Sequence, residues 1–167
     1  MALHRLFVYG TLKRGQPNHE QFAAQYGVVK FAGLARTVNR WPLVIASRCN
    51  IPFMLDKEGH GNHVEGEIYD VDDKMLQHCD EFEGSPDYYQ RVTIQIQLTQ
   101  DSGGTKVDWE PSQDVMVYVL GSFKESLLEL PLRQSYDSNG EHGLKYTPRC
   151  ERTGDMVDHK TDVKTAP

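Results

Sequence analysis

The sequence predicts an α+β protein built on a strongly curved sheet or barrel, and three observations predict it. Val92, Ile94, Ile96 and Leu98 alternate with Thr93, Gln95, Gln97 and Thr99, the period-two pattern of a strand with one packed face. Short apolar runs recur at Leu6–Val8, Leu43–Ala46, Ile51–Leu55 and Val115–Leu120, with turn-forming residues between them. Against these, Met75, Leu76, Cys79 and Phe82 fall at helical spacing. Many short strands with one or two helices are the pattern of an α+β barrel-like fold.

In chain order, Leu6–Val8 reads as a buried strand. Asn18 followed by Gln21 has the spacing of an N-cap with its capping-box partner, so a short helix carrying Phe22 and Tyr26 is expected, ended by Gly27. Residues 28–38 and 43–46 read as extended, with Trp41 and Pro42 at the bend between them. After a third run at 51–55, the polar, glycine-containing segment 56–62 is expected to be a hairpin turn into a strand over 64–71. In that strand Val64, Gly66 and Ile68 share a packed face, and Glu65, Glu67 and Tyr69 share a wet one.

Asp72 and Asp73 supply the negative charge that a helix start favours, and Gly84-Ser85-Pro86 ends the helix. The loop 101–113, which holds Trp109, is an exposed hairpin connection into the strand 115–120. A short helix over Leu127, Leu128 and Leu130 stops at Pro131. The turn-rich segment 135–146 carries Tyr136, His142 and Tyr146 and could close over a pocket. Beyond Arg149 there is no apolar periodicity. The expectation is one domain over 1–149 and a disordered C-terminal tail over 150–167.

Composition bounds what the protein does. A chain of 167 residues, 38% hydrophobic and 25% charged, is long enough to bury a substantial core. Its net charge of −6, with no long basic run, argues against nucleic acid and against acidic lipid. The apolar run behind Arg5 is too short for a secretory signal, and no stretch approaches membrane-spanning length, so a cytoplasmic protein is expected. The three cysteines, Cys49, Cys79 and Cys150, are too widely spaced for a CxxC motif and too few for a disulfide framework.

Two segments carry chemistry. The first is LFVYGTLKRG, residues 6–15, where a buried strand breaks at Gly10 into a glycine-flanked loop. Successive main-chain amides in such a turn form a partly positive nest that cradles an anion. Gly10 and Gly15 have P-loop spacing, but Gln16 and Pro17 stand where Lys and Ser/Thr would be needed, so a small carboxylate fits better than a phosphate. The blander reading is a tight strand exit with no ligand.

The second segment is Asp80-Glu81-Phe82-Glu83-Gly84 at the end of the expected helix. Glu83 lies four residues after Cys79 and is rotated toward the buried side, whereas Asp80 and Glu81 lean outward. Burial, neighbouring carboxylates and the helix C-terminus each disfavour its ionised form, so its pKa is expected to be raised into the range of a proton shuttle. A solvated acidic turn is the plainer alternative. His60 and His63, with Glu65, lack a fourth partner at a recognised metal spacing, and no GxSxG element or marked cysteine nucleophile is present. No metal and no cofactor are called for.

VYGTLKRG, VEGEIYDVDD and DEFEGSPDYYQR, together with RWPLVIA, NIPF and SYDSNGEHGLKY, resemble the γ-glutamylcyclotransferase-like family over 6–149. The ordered combination is far more specific than any one piece. The resemblance implies a small mixed β-barrel with flanking helices and a cavity where the YGTL loop meets a catalytic glutamate. Carried over by motif, Tyr9, Gly10, Thr11 and Leu12 would bind substrate and Glu83 would accept the proton. The implied substrate is a γ-glutamyl amine, above all L-γ-glutamyl-L-ε-lysine from degraded transglutaminase crosslinks, and the products are 5-oxoproline and free lysine.

The chemistry of such a substrate agrees with so sparse a site. Its α-amine reaches its own side-chain carbonyl and closes a five-membered ring, which needs alignment and one acid–base group. Whether the Gly10–Leu12 amides hold the α-carboxylate or the developing oxyanion stays open. Two alternatives accompany this reading: action on γ-glutamyl-α-amino acids, and a small-molecule binding module without turnover. In every case the partner is a small molecule and the chain is expected to act as a monomer.

Overall fold

The computed structural model describes residues 2–108 and 110–165, so Trp109 lies outside the described residues. The strands are β1 (His4–Val8), β2 (Val29–Thr37), β3 (Leu43–Ala46), β4 (Ile51–Met54), β5 (Glu65–Val71), β6 (Tyr89–Asp101) and β7 (Gln113–Leu120), and the α-helix is α1 (Asp73–Glu83). Five strands close a barrel in the order β1-β5-β2-β6-β7, sealed by a parallel pairing of Leu6 with Met116, while β3 and β4 form a separate antiparallel ribbon. The expected α+β barrel is therefore present.

The barrel interior takes alternate residues from all five of its strands, among them Phe7, Ala35, Ile68, Ile94, Ile96 and Val117. The opposite faces of the same strands build a second core. Leu6, Val8, Tyr69 and Leu120 pack there against Val44 and Phe53 of the ribbon and against Met75 and Cys79 of α1. This double use explains the unbroken apolar run of β1, since a strand covered on both faces has no wet positions to encode. Gly66 has a steric reason: a Cβ there would meet the Phe7 ring and the Val8 carbonyl oxygen at 2.4–2.8 Å.

Four expectations are corrected. The segment 56–62 is not a hairpin turn, because β4 pairs with β3 and β5 pairs with β1 and β2; it carries the chain from ribbon to barrel. The supposedly wet face of β5 is covered at two of its three positions: Glu67 is 7% exposed and Tyr69 3%, while Glu65 is exposed. The Glu67 carboxylate accepts from Arg14 N (2.8 Å), Arg14 Nε (3.1 Å) and the Tyr69 hydroxyl (3.0 Å), which compensates its burial. Residues 19–26 form two 3₁₀ turns rather than a helix, and Asn18 makes no side-chain cap.

The fourth correction concerns the tail, which is laid down on the body. Residues 154–162 form 3₁₀ turns, and Val163 is fully buried in the outer core. Arg48 grips Asp162 through Nε (2.9 Å) and Nη2 (2.6 Å), and Lys164 bridges to Phe123. The segment shows no periodicity because long-range contacts order it. Residues 166 and 167 lie outside the described residues.

Candidate active site

α1 sets Glu83 by ordinary helix rules. Asp72 caps the first turn, accepting from Met75 N at 2.9 Å and also from Val28 N at 3.0 Å, so the helix start is tied to the barrel. Met75, Leu76 and Cys79 are buried, and Glu83 follows Cys79 by one turn on that side. Gly84 adopts the left-handed conformation at φ 68° and donates back to Asp80 and Glu81, ending the helix at the cavity.

The cavity has a volume of about 370 Å³, ample for a small dipeptide-like ligand. It lies outside the barrel, between the exit of β1, the C-terminal end of α1, the ribbon residues Ile51 and Pro52, and the C-terminal segment. Tyr9, Gly10, Thr11, Leu12 and Glu83 all line it, so the residues expected at a site do meet in one place.

Their individual roles differ. The Tyr9 hydroxyl is spent on the fold: it donates to Tyr118 O at 2.7 Å and accepts from Met54 N at 3.2 Å, joining β1, β7 and β4. Gly10 packs against the ribbon, where a Cβ would stand 2.9 Å from Pro52 Cγ, so a closely approaching neighbour and not a special φ selects glycine. The Gly10 and Thr11 carbonyls accept from Lys13 N and Asn18 N. Among the described residues the Gly10, Thr11 and Leu12 amides make no backbone hydrogen bond, and so are open to a ligand.

Burial pushes the Glu83 carboxyl up to about 7, against the opposing pull of the Arg149 guanidinium. The direction agrees with expectation but the cause is narrower. The neighbouring acids are not among its causes; Asp80 is paired with Arg91 at 2.8 Å and accepts from the Tyr118 hydroxyl at 2.7 Å. Burial alone carries the shift.

Sequence reasoning missed much of the remaining wall. Asn18 faces the cavity, where its amide nitrogen donates to Thr11 Oγ1 at 3.0 Å and to the Tyr146 hydroxyl at 2.9 Å. Tyr88 and Tyr89 enter from the start of β6, and the Tyr89 hydroxyl is bonded to Pro52 O at 3.3 Å. Arg149 enters from the last residue of the expected domain, and Arg152, His159 and Lys160 from the segment expected to be disordered. The charges of the two arginines and the lysine were visible in the sequence, but nothing local placed them here.

A five-stranded barrel thus carries on its outer side a cavity lined by one glutamate of raised pKa and by a loop whose amides make no backbone hydrogen bond. The model of the gamma-glutamyl cyclotransferase, AIG2-like family matches residues 6–138, and the chain belongs to that family. It is 45% identical over 157 residues to gamma-glutamylaminecyclotransferase B of Danio rerio, covering 93% of this chain and 80% of that one. With the gamma-glutamylaminecyclotransferase of Homo sapiens it shares 44% identity over 155 residues, 91% of this chain and 100% of the relative. The crystal structure of an AIG2-like protein from Mus musculus superposes with a TM-score of 0.83 at 43% identity, covering 91% of this chain and 100% of that one.

Proposed function

We propose that the protein is a γ-glutamylaminecyclotransferase that converts L-γ-glutamyl-L-ε-lysine to 5-oxoproline and free lysine, with Glu83 as the proton shuttle. The observation that carries this reading is the meeting of Glu83, raised to about 7, with the open amides of Gly10, Thr11 and Leu12 in one cavity.

The reaction follows from the substrate. Glu83 takes a proton from the α-ammonium, and the freed amine attacks the γ-carbonyl carbon to close the five-membered ring. The carbonyl oxygen becomes an oxyanion as the new C–N bond forms. The bond to the side-chain nitrogen of lysine then breaks as Glu83 returns its proton to the departing amine, and the second proton still on the ring nitrogen passes through the same carboxylate to that amine, which leaves as an ammonium. A carboxyl that titrates near neutrality does both halves with little penalty.

Holding the chain in its cyclising conformation contributes on the order of 7–11 kcal/mol when the reacting atoms are aligned. The Gly10–Leu12 amides hold negative charge, either the α-carboxylate or the oxyanion. Free Cys49, Cys79 and Cys150 fit a reducing cytoplasmic setting, and the net charge of −6 fits a small-molecule partner over nucleic acid. Among the described residues no helix is long and apolar enough to cross a membrane.

The test is release of 5-oxoproline from γ-glutamyl-ε-lysine. Glu83→Gln is expected to bind the isopeptide while losing at least about 100-fold in kcat. A variant that keeps most of the wild-type rate overturns the assignment of the shuttle.

A further inference from the structure

The cavity has two walls of opposite chemistry, and the second is assigned no task by the reaction above. Arg149, Arg152 and Lys160 all line it from the C-terminal segment. Four arginines elsewhere pair with carboxylates: Arg5 with Asp70, Arg14 with Glu67, Arg48 with Asp162 and Arg91 with Asp80. Among the described residues, none of Arg149, Arg152 and Lys160 is in a salt bridge. Arg149 shares the cavity with Glu83, whereas Arg152 and Lys160 reach it without a carboxylate in ion-pair contact and so offer a place for one from outside.

The three are not equivalent. Arg149 donates to Phe82 O at 2.8 Å, lies 4.0 Å over the Phe82 ring and acts electrostatically on Glu83, so it belongs to the reacting end. Arg152 and Lys160 gather instead around Tyr146 and Tyr88. Arg152 donates to Thr147 O, to the Tyr146 hydroxyl at 3.0 Å and to His159 Nε2 at 3.2 Å, which fixes its guanidinium and leaves further N–H groups free.

The groups around Arg152 also lack acceptors. The Tyr146 hydroxyl accepts from both Asn18 and Arg152, so its own hydrogen is free to be donated. The Lys160 ammonium lies 4.6 Å from the Tyr88 ring centroid, where it meets a π-face and no oxygen. Tyr88 Oη and His159 Nδ1 are buried without a partner, an arrangement native folds rarely leave around an unused space. A cluster of donors with a shortage of acceptors recognises a carboxylate.

We infer that Arg152 and Lys160, with the Tyr146 hydroxyl, form the subsite for the carboxylate of the leaving amine, and so select γ-glutamyl amines whose amine is an amino acid. The inference rests on the cyclotransferase reading. In the lysine isopeptide that carboxylate lies a full lysine side chain from the bond that breaks. At that end the carboxylate would meet Arg152 over the Tyr146 ring and Lys160 over the Tyr88 ring.

The test compares γ-glutamyl-ε-lysine with γ-glutamyl-n-butylamine, which has the same kind of amide and no distal carboxylate. Wild type is expected to prefer the isopeptide in kcat/KM. Arg152→Gln and Lys160→Gln are each expected to cut that preference about tenfold, mainly through KM, and Lys160→Arg to restore most of it. Because the readout is a ratio of two substrates on one protein, general loss of fold cancels, and Lys160 makes no hydrogen bond whose loss would disturb the segment.

An unchanged ratio in the Lys160→Gln variant overturns the subsite. Wild-type protein that releases 5-oxoproline from neither substrate overturns the cyclotransferase reading instead. Calorimetric titration of γ-glutamyl-ε-lysine into Glu83→Gln, with and without Lys160→Gln, still decides the subsite in that case: weaker binding with the second substitution supports it, and equal binding removes it.

Discussion

The two walls of the cavity are built in different ways. The loop wall, Tyr9–Leu12, issues from a barrel strand and offers main-chain amides, while its side chains serve the structure: the Tyr9 hydroxyl ties three strands together and Leu12 is buried. The C-terminal wall has no regular ladder behind it and offers side-chain charge from Arg149, Arg152 and Lys160. The backbone wall cannot change its chemistry by substitution without breaking the barrel exit. The side-chain wall can, so it is the natural place for substrate preference to be set. A chain of hydrogen bonds from Thr11 through Asn18 and Tyr146 to Arg152 and His159 joins the two.

The difference is sharpest in what each wall costs the fold. Glu83 sits between them and carries the largest cost. The folded protein holds its proton up to about pH 7, whereas the unfolded chain releases it near the ordinary value of 4.5, so stability falls as pH rises through that window. Glu83→Gln is therefore expected to stabilise the protein at pH 8 by about 2 kcal/mol, discounted from the full conversion because the carboxyl opens on the cavity. At pH 4 the gain should vanish. Denaturant unfolding at the two pH values measures it, and an equal effect at both would mean that the carboxyl is not desolvated.

Next in size, Tyr9→Phe leaves the Tyr118 carbonyl and the Met54 amide without a partner in the protein interior. It should cost about 1–3 kcal/mol of stability, with little change in the preference for one leaving amine over another. A shift in preference with unchanged stability would place its hydroxyl in substrate recognition and erase the distinction between the walls.

The smallest effect on stability, at most about 1 kcal/mol, is expected for Arg48→Ala, which breaks a half-exposed ion pair with Asp162. Its consequence should appear in function, as a KM several-fold higher for γ-glutamyl-ε-lysine, because Asp162 anchors the segment that carries Arg152 and Lys160. Steady-state kinetics on the wild-type and variant proteins decide it. An unaltered KM would show that the cationic wall holds its place without this latch.

The sequence by itself determined the parts whose causes are local. The alternation of Ile94, Ile96 and Leu98 specifies β6, Asp72 and Gly84 bracket α1, and helical geometry alone turns Glu83 to the buried side. The meeting of the YGTL loop with Glu83 was implied by the motifs jointly, not by either alone. Tertiary structure decided whatever depended on a distant partner. Glu67 became buried because Arg14 and Tyr69 satisfy it, and Asn18 turned its amide nitrogen to Thr11 and Tyr146.

Glu83 owes its raised pKa to burial, which the Arg149 guanidinium opposes. Above all, the C-terminal segment acquired order from Arg48 and the outer core, contacts more than a hundred residues apart in sequence for which no local periodicity is needed. Propensity and pattern report what a residue's near neighbours allow. Which charge ends beside which cavity is settled only when the chain closes on itself.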